Sequence, residues 1–198
     1  MKKLFVMAFA LLLGAQAHAQ LAVEAGYQHA FENWTVGQKK SNPLDGVYAG
    51  VSYRLGLDRM VEGLSFVPAV DLSVLYGNFF EDGRKNYEIA VDVPLQIRYS
   101  YDVASDFCLF GLFGPALEYG LVNRVKAGGN SYNLYVSDNA TEYLRNRFQL
   151  YMSIGGGFEV AQTIRVQIGF DLGLLNLNPS SSRTITRHRL KVGAAWLF

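Results

Sequence analysis

The side chains of this sequence that could do chemistry form two groups, a few histidines with one cysteine and a series of charges spaced two residues apart. The histidines are His18, His29 and His188, and Cys108 is the one cysteine. A single cysteine makes neither an internal disulfide nor a cysteine zinc cluster, so structural metal chemistry is close to excluded and no cofactor is expected. His29 or His188 could act as a base in hydrolysis, which needs a nucleophile held by that base. Leu190 stands two residues after His188, and Ser180, Ser181 and Ser182 fall in a loop. Both histidines read as polar anchors at an interface.

The charges are more numerous. Asp71, Glu88, Asp92 and Glu118 each fall on the polar side of an alternating run in the middle of the chain, and Arg147, Arg165, Asp171, Arg187, Arg189 and Lys191 do so towards the end. A pair such as Asp71 and Asp92 could do acid–base work, but with so many guanidinium groups on the same face it reads first as a salt-bridge set.

The elements that must position these groups have period two. Between Tyr87 and Tyr99 the odd positions are Tyr87, Ile89, Val91, Val93, Leu95, Ile97 and Tyr99, and the even ones run from Glu88 through Asp92 to Arg98. One face is apolar and the other mostly polar, as in a half-buried strand. The same pattern gives eight candidate strands: 21–30, 46–57, 64–76, 87–101, 107–121, 147–160, 164–174 and 184–198. Most exceed the ~5 to 6 residues of an ordinary sheet strand and fit the ~9 to 11 of a tilted membrane strand. A soluble sandwich would carry Lys, Thr and Glu opposite its apolar face, whereas here Gly, Gln and single charges stand there.

Composition agrees. The 198 residues are 50% hydrophobic, 14% aromatic and only 18% charged, with a net charge of +1, which provides no electrostatic basis for binding nucleic acid. Lys2 and Lys3 precede an apolar run from Leu4 to Leu13 and the small-residue site Ala17-His18-Ala19, so residues 1–19 read as a cleaved signal peptide and 20–198 as one barrel domain. No cysteine follows that site to accept a lipid.

Connections alternate in length. Segments 58–63, 102–106 and 161–163 are short, while 31–45, 77–86, 122–146 and 175–183 are longer, the phase of an outer-membrane barrel with short periplasmic turns and long outer loops. Tyr27, Tyr76, Tyr87, Tyr119 and Phe148 cluster at the outer ends of the apolar face, and Tyr99, Tyr101, Phe107, Phe158, Trp196 and Phe198 at the inner ends, as two interfacial girdles require.

The terminus Leu190, Val192, Ala194, Trp196, Phe198 resembles the last-strand signal read by the barrel assembly machinery, with Trp196 and Phe198 as its aromatic elements. Val93-Pro94-Leu95-Gln96-Ile97-Arg98-Tyr99, followed by Gly111-Leu112-Phe113-Gly114-Pro115-Ala116-Leu117, resembles paired strand motifs of the Bacteroidota outer-membrane β-barrel family, the PorT-like group. The resemblance implies an outer-membrane location, and the family includes barrels accessory to type IX secretion. It implies no single activity. Lipid A deacylase barrels place a serine two residues after a histidine, which this chain does not.

The expected architecture is therefore an all-β, eight-stranded antiparallel up-and-down transmembrane barrel. Its partners are outer-membrane lipid and lipopolysaccharide, the assembly machinery and, at the outer loops, a possible protein. Trp34, Arg124, Lys126, Tyr132, Tyr135, Tyr143 and Arg145 are the loop binding candidates, being residue types that anchor interfaces. Symmetric hairpins would set Asp71 opposite Asp92 and Asp171 opposite Arg187, and Pro94 should mark a bulge. Gly155, Gly156 and Gly157 read as close backbone packing. The expected role is structural or interactive with a salt-bridged lumen; a narrow ion or solute channel is the alternative, and a lipid A-modifying enzyme the third reading.

Overall fold

A computed structural model describes residues 19–36, 38–79, 84–127, 129–135, 145–179 and 184–198. Most of the signal segment, Tyr143 and the three serines 180–182 lie outside the described residues. Nine strands lie within them: β1 (Ala19–Val36), β2 (Gln38–Gly56), β3 (Leu64–Phe79), β4 (Arg84–Ala104), β5 (Phe107–Ala127), β6 (Asn130–Asn133), β7 (Phe148–Val160), β8 (Ile164–Gly173) and β9 (Thr184–Leu197). Eight form a closed antiparallel ring in the order β1-β2-β3-β4-β5-β7-β8-β9, with β9 pairing back onto β1, while the short β6 only extends the pairing of β5. The expected fold class is the observed one.

Period two does here what it must in a barrel wall: successive side chains point alternately in and out. Val23, Val51, Val70, Leu72, Leu109, Phe113, Ile154, Ile168, Leu190 and Val192 are exposed on the outside, while Glu24, Asp71, Asp92, Glu118, Arg165, Arg187 and Arg189 are buried inside. The usual globular arrangement is inverted. The polar residues form the interior, and the outward apolar band ends in exposed Tyr27, Tyr76, Tyr87, Tyr119 and Phe148 at one end and Tyr99, Tyr101, Trp196 and Phe198 at the other.

Several strands run further than alternating hydrophobicity indicates. Residues 31–36, 38–45, 77–79, 84–86 and 122–127 are strand, and β1 and β2 pair as far as Val36 opposite Gln38. Beyond the outer girdle both faces of a strand can be wet, so the hydrophobic signal fades while the backbone ladder continues. Beyond β5 the short β6 pairs back onto it, with Asn133 opposite Arg124.

Two register expectations are corrected. Pro94 makes no bulge: the β3–β4 ladder passes from Pro68↔Leu95 to Asp71↔Asp92 in unbroken register, and a proline there forgoes one donor only. The irregularities lie elsewhere in the β4–β5 pair, at Ile89/Ala90, where Leu121 is the extra residue, and at Asp102/Ala104. Asp171 faces Arg189 rather than Arg187, because β8 stops at Gly173 and the chain leaves the ladder, with Leu174 N–H donating to the Leu150 carbonyl at 2.8 Å. Gly157 meets its expected role: a Cβ there would lie 2.0 Å from the Val166 carbonyl oxygen.

The ring closes at the inner end, where Phe198 N–H donates to the Leu21 carbonyl at 2.9 Å and the ring of Phe198 is exposed. Deleting Phe198 removes both this closing bond and the terminal interfacial aromatic. The expected result is unchanged export but a several-fold lower yield of heat-modifiable barrel in outer-membrane fractions; a normal yield would show that neither feature matters to insertion.

Candidate functional site

The buried charges form one continuous column through the lumen. Near its outer end Arg187, from β9, pairs with Glu32 directly opposite on the adjacent β1 at 2.6 Å and reaches across to Glu88 of β4 at 2.6 Å and to Glu118 of β5 at 3.3 Å. Glu88 also accepts from Asn123 Nδ2 at 2.9 Å and from the Tyr135 hydroxyl at 3.3 Å. Glu32 is held a second time, by both terminal nitrogens of Arg145.

One step inward, Arg189 bridges Asp92 and Glu118 at 2.6 Å and Asp171 at 2.8 Å, with its guanidinium 4.0 Å from the centre of the Tyr151 ring. β9 and β4 are diametrically opposite in the ring, so the Arg189–Asp92 pair spans the lumen. Adjacent carboxylates Asp71 and Asp92 share Lys191, at 3.7 and 3.8 Å. Deeper still, Arg165 pairs with Glu24 at 2.6 Å and donates to Ser52, and Glu159 is clamped between Arg98 and Arg54.

An eight-stranded barrel has an interior just wide enough for side chains to fill. The long arginines do fill it. Among the described residues a cavity of about 50 Å³ lies beside Asp71, Arg165 and Lys191 and, below the Arg54–Glu159 pair, a vestibule of about 900 Å³ opens at the inner end. The outer end is covered by an apolar cluster, Val125 of β5, Leu134, Leu177 and Ile185 of β9. Tyr135 can lean in over Glu88 because Gly120 lies beneath it, where a Cβ would fall 1.8 Å from the phenol oxygen.

Nine of the ten lumen candidates come together in this column, and Arg147 does not. Its guanidinium donates to the carbonyls of Gly120 and Leu121 at 3.1 and 3.2 Å and packs 4.6 Å from the Tyr135 ring, tying down the strand end instead of pairing with a carboxylate. Two loop candidates are corrected. Arg145 and Tyr135 turn inward onto Glu32 and Glu88, since buried carboxylates attract every donor within reach. Arg124 and Lys126 are exposed and Tyr132 partly so; Trp34 lies in the β1–β2 hairpin opposite Lys40, its side chain outside the described residues. Glu24, Glu32, Arg54, Arg98 and Glu159 were not among the candidates, although Glu24, Arg98 and Glu159 carry the inward parity that would have found them.

The histidines do not form a joint site. His29 Nδ1 lies 2.7 Å from Asp45 Oδ1, which also accepts from the Tyr27 hydroxyl, while His188 packs against Phe31 and Phe170. Leu190 stands opposite His29 in the β1–β9 ladder. Among the described residues no serine, threonine or cysteine side chain bonds to either imidazole, and no cluster of His, Cys, Asp and Glu could hold a metal ion.

Comparison with solved structures places this architecture among small bacterial outer-membrane barrels. The chain is similar to Neisserial surface protein A, with 16% identity and a TM-score of 0.51 over 90% of this chain and 98% of that one. It is also similar to Ail, the attachment invasion locus protein of Yersinia pestis, with 11% identity and a TM-score of 0.50 over 91% and 99%. At these identities the likeness is one of fold: an eight-stranded up-and-down barrel of the outer-membrane type. No protein-family model and no curated protein matches the sequence.

Proposed function

We propose that this chain is an integral outer-membrane protein of a Gram-negative bacterium whose barrel is a closed scaffold for contacts made outside the membrane. The salt-bridged lumen carries this reading. A water-filled pore leaves charges on its wall solvated, whereas here Arg187 and Arg189 are fully buried and cross from one wall to the other. Sites for contact are the outer hairpins β1–β2 and β5–β6, with outer-leaflet lipid around the wall, and a narrower affiliation with the PorT-like group rests on the two strand motifs alone. The scaffold is non-enzymatic in this reading, since among the described residues no serine, threonine or cysteine side chain bonds to His29 or its partner Asp45.

Purified protein in a planar bilayer is expected to give no stable conductance steps. Stable, ion-selective steps that change with Arg187→Ala or Arg189→Ala would replace the scaffold by the channel. Mass analysis of lipid A from cells with and without the protein should show no difference; a difference abolished by His29→Ala would make it an enzyme.

A further inference from the structure

The β4–β5 bulge has aimed two cations of β5 at the outer leaflet, beside a third that β4 already presents there. Below Leu121 the outward residues of β5 are odd, ending in Tyr119; the extra residue reverses the parity, so that above it Arg124 and Lys126 are exposed while Asn123 and Val125 are buried. Bulges commonly re-aim side chains in this way. Lys126 stands directly opposite Lys85, and Arg124 opposite Tyr87. Directly opposed like charges destabilise a sheet, and none of the three cations has a carboxylate partner among the described residues. Lys85 is held instead by Asn78 Oδ1 at 2.8 Å, with its ammonium 5.8 Å from the centre of the Tyr76 ring.

Their height matters. Lys85 lies two residues beyond Tyr87 of the outer girdle, which at ~3.3 Å per residue and a tilt near 40° is roughly 5 Å above it. That is where lipid headgroup phosphates sit. Below the cations Tyr76, Tyr87 and Tyr119 form an exposed aromatic face against which acyl chains would lie.

We infer that Lys85, Arg124 and Lys126 form a binding site on the outer wall for a phosphate group carried by an outer-leaflet lipid. The lipid supplies the anion that the sheet lacks, the guanidinium of Arg124 taking two phosphate oxygens and the two ammonium groups the remaining charge. This rests on the outer-membrane reading above.

The test uses monophosphorylated lipid A and its dephosphorylated counterpart as probes for the full-length mature protein in neutral detergent, with bound lipid counted by native mass spectrometry. Wild type should retain the phosphorylated lipid in preference. Each single change, Lys85→Gln, Arg124→Gln or Lys126→Gln, should weaken retention about fivefold and the triple change on the order of a hundredfold. Arg59→Gln, an exposed cation on the β2–β3 turn at the inner end, should leave it unchanged. Without lipid, Lys126→Gln should raise the unfolding temperature by relieving its repulsion from Lys85; with the phosphorylated lipid it should lower it. That reversal of sign separates a lipid site from a merely structural role.

Equal retention of both lipids, or by wild type and triple variant, overturns the site. So does inorganic phosphate displacing the lipid at equal concentration, since the anion would then not be lipid-borne. If these results appear while the protein fractionates with the outer membrane, the site fails and the location stands; a wild type absent from outer-membrane fractions fails the location instead.

Discussion

Arg187→Ala is expected to destabilise the folded barrel by roughly 3 to 5 kcal/mol, the cost of stranding buried charge by removing one partner. Arg187 is 1% exposed and serves three carboxylates, Glu32, Glu88 and Glu118. The loss is unequal among them. Arg145 still holds Glu32 and Arg189 still holds Glu118, but Glu88 keeps only the neutral donors of Asn123 and Tyr135. Adding Glu88→Gln to Arg187→Ala should therefore recover part of the loss, since the second change removes the stranded charge. Unfolding by urea in lipid vesicles, with the denaturant slope unchanged between variants, measures both effects. A loss below about 1 kcal/mol would mean that water enters and solvates the carboxylates, the behaviour of an open lumen. The cost of breaking such a pair is not its net worth against an apolar filling, which is often small; in the scaffold reading the column's role is to close the barrel.

How much of this could be read in the sequence depends on which interaction sets each feature. Parity is local, so Asp71, Asp92, Asp171, Arg187 and Arg189 could be placed inside from the residues beside them. Pairing across the lumen is not local: Arg98 and Glu159 share the inward parity, but that they meet depends on how the closed ring sets β4 against β7. For Glu32 the reason is different. It lies two residues beyond Ala30, where hydrophobic alternation ends although the ladder continues to Val36. Arg145 belongs to no strand, and the buried charge of Glu32 draws it in. The parity reversal at Leu121 is equally silent, because one residue inserted between Tyr119 and Arg124 leaves both neighbouring runs looking regular. A hairpin symmetric about its connection would pair Asp171 with Arg187, but the β8–β9 hairpin is asymmetric and Asp171 faces Arg189.

Arginine in place of Ile168 should cost roughly 2 to 4 kcal/mol in a bilayer, whereas arginine in place of Phe148 should cost about 0 to 1. Ile168 is 54% exposed on the outward face of β8, between Gly156 of β7 and Val192 of β9. Small neighbours leave room for the longer side chain, so the expected penalty is one of charge in hydrocarbon, not of packing. Four residues above the inner end of β8, a guanidinium there has hydrocarbon on both sides and must distort the bilayer to reach water. Phe148 begins β7 in the outer girdle, opposite Tyr119, where an arginine meets headgroups at once. Ile168→Gln separates the terms further, since it keeps the polar length without the charge and should fall between the two. Folding titrations of the three variants in vesicles give the comparison. Equal, mild costs at Ile168 and Phe148 would mean that the outward face does not lie in hydrocarbon, and the apolar band would then need a protein partner to cover it.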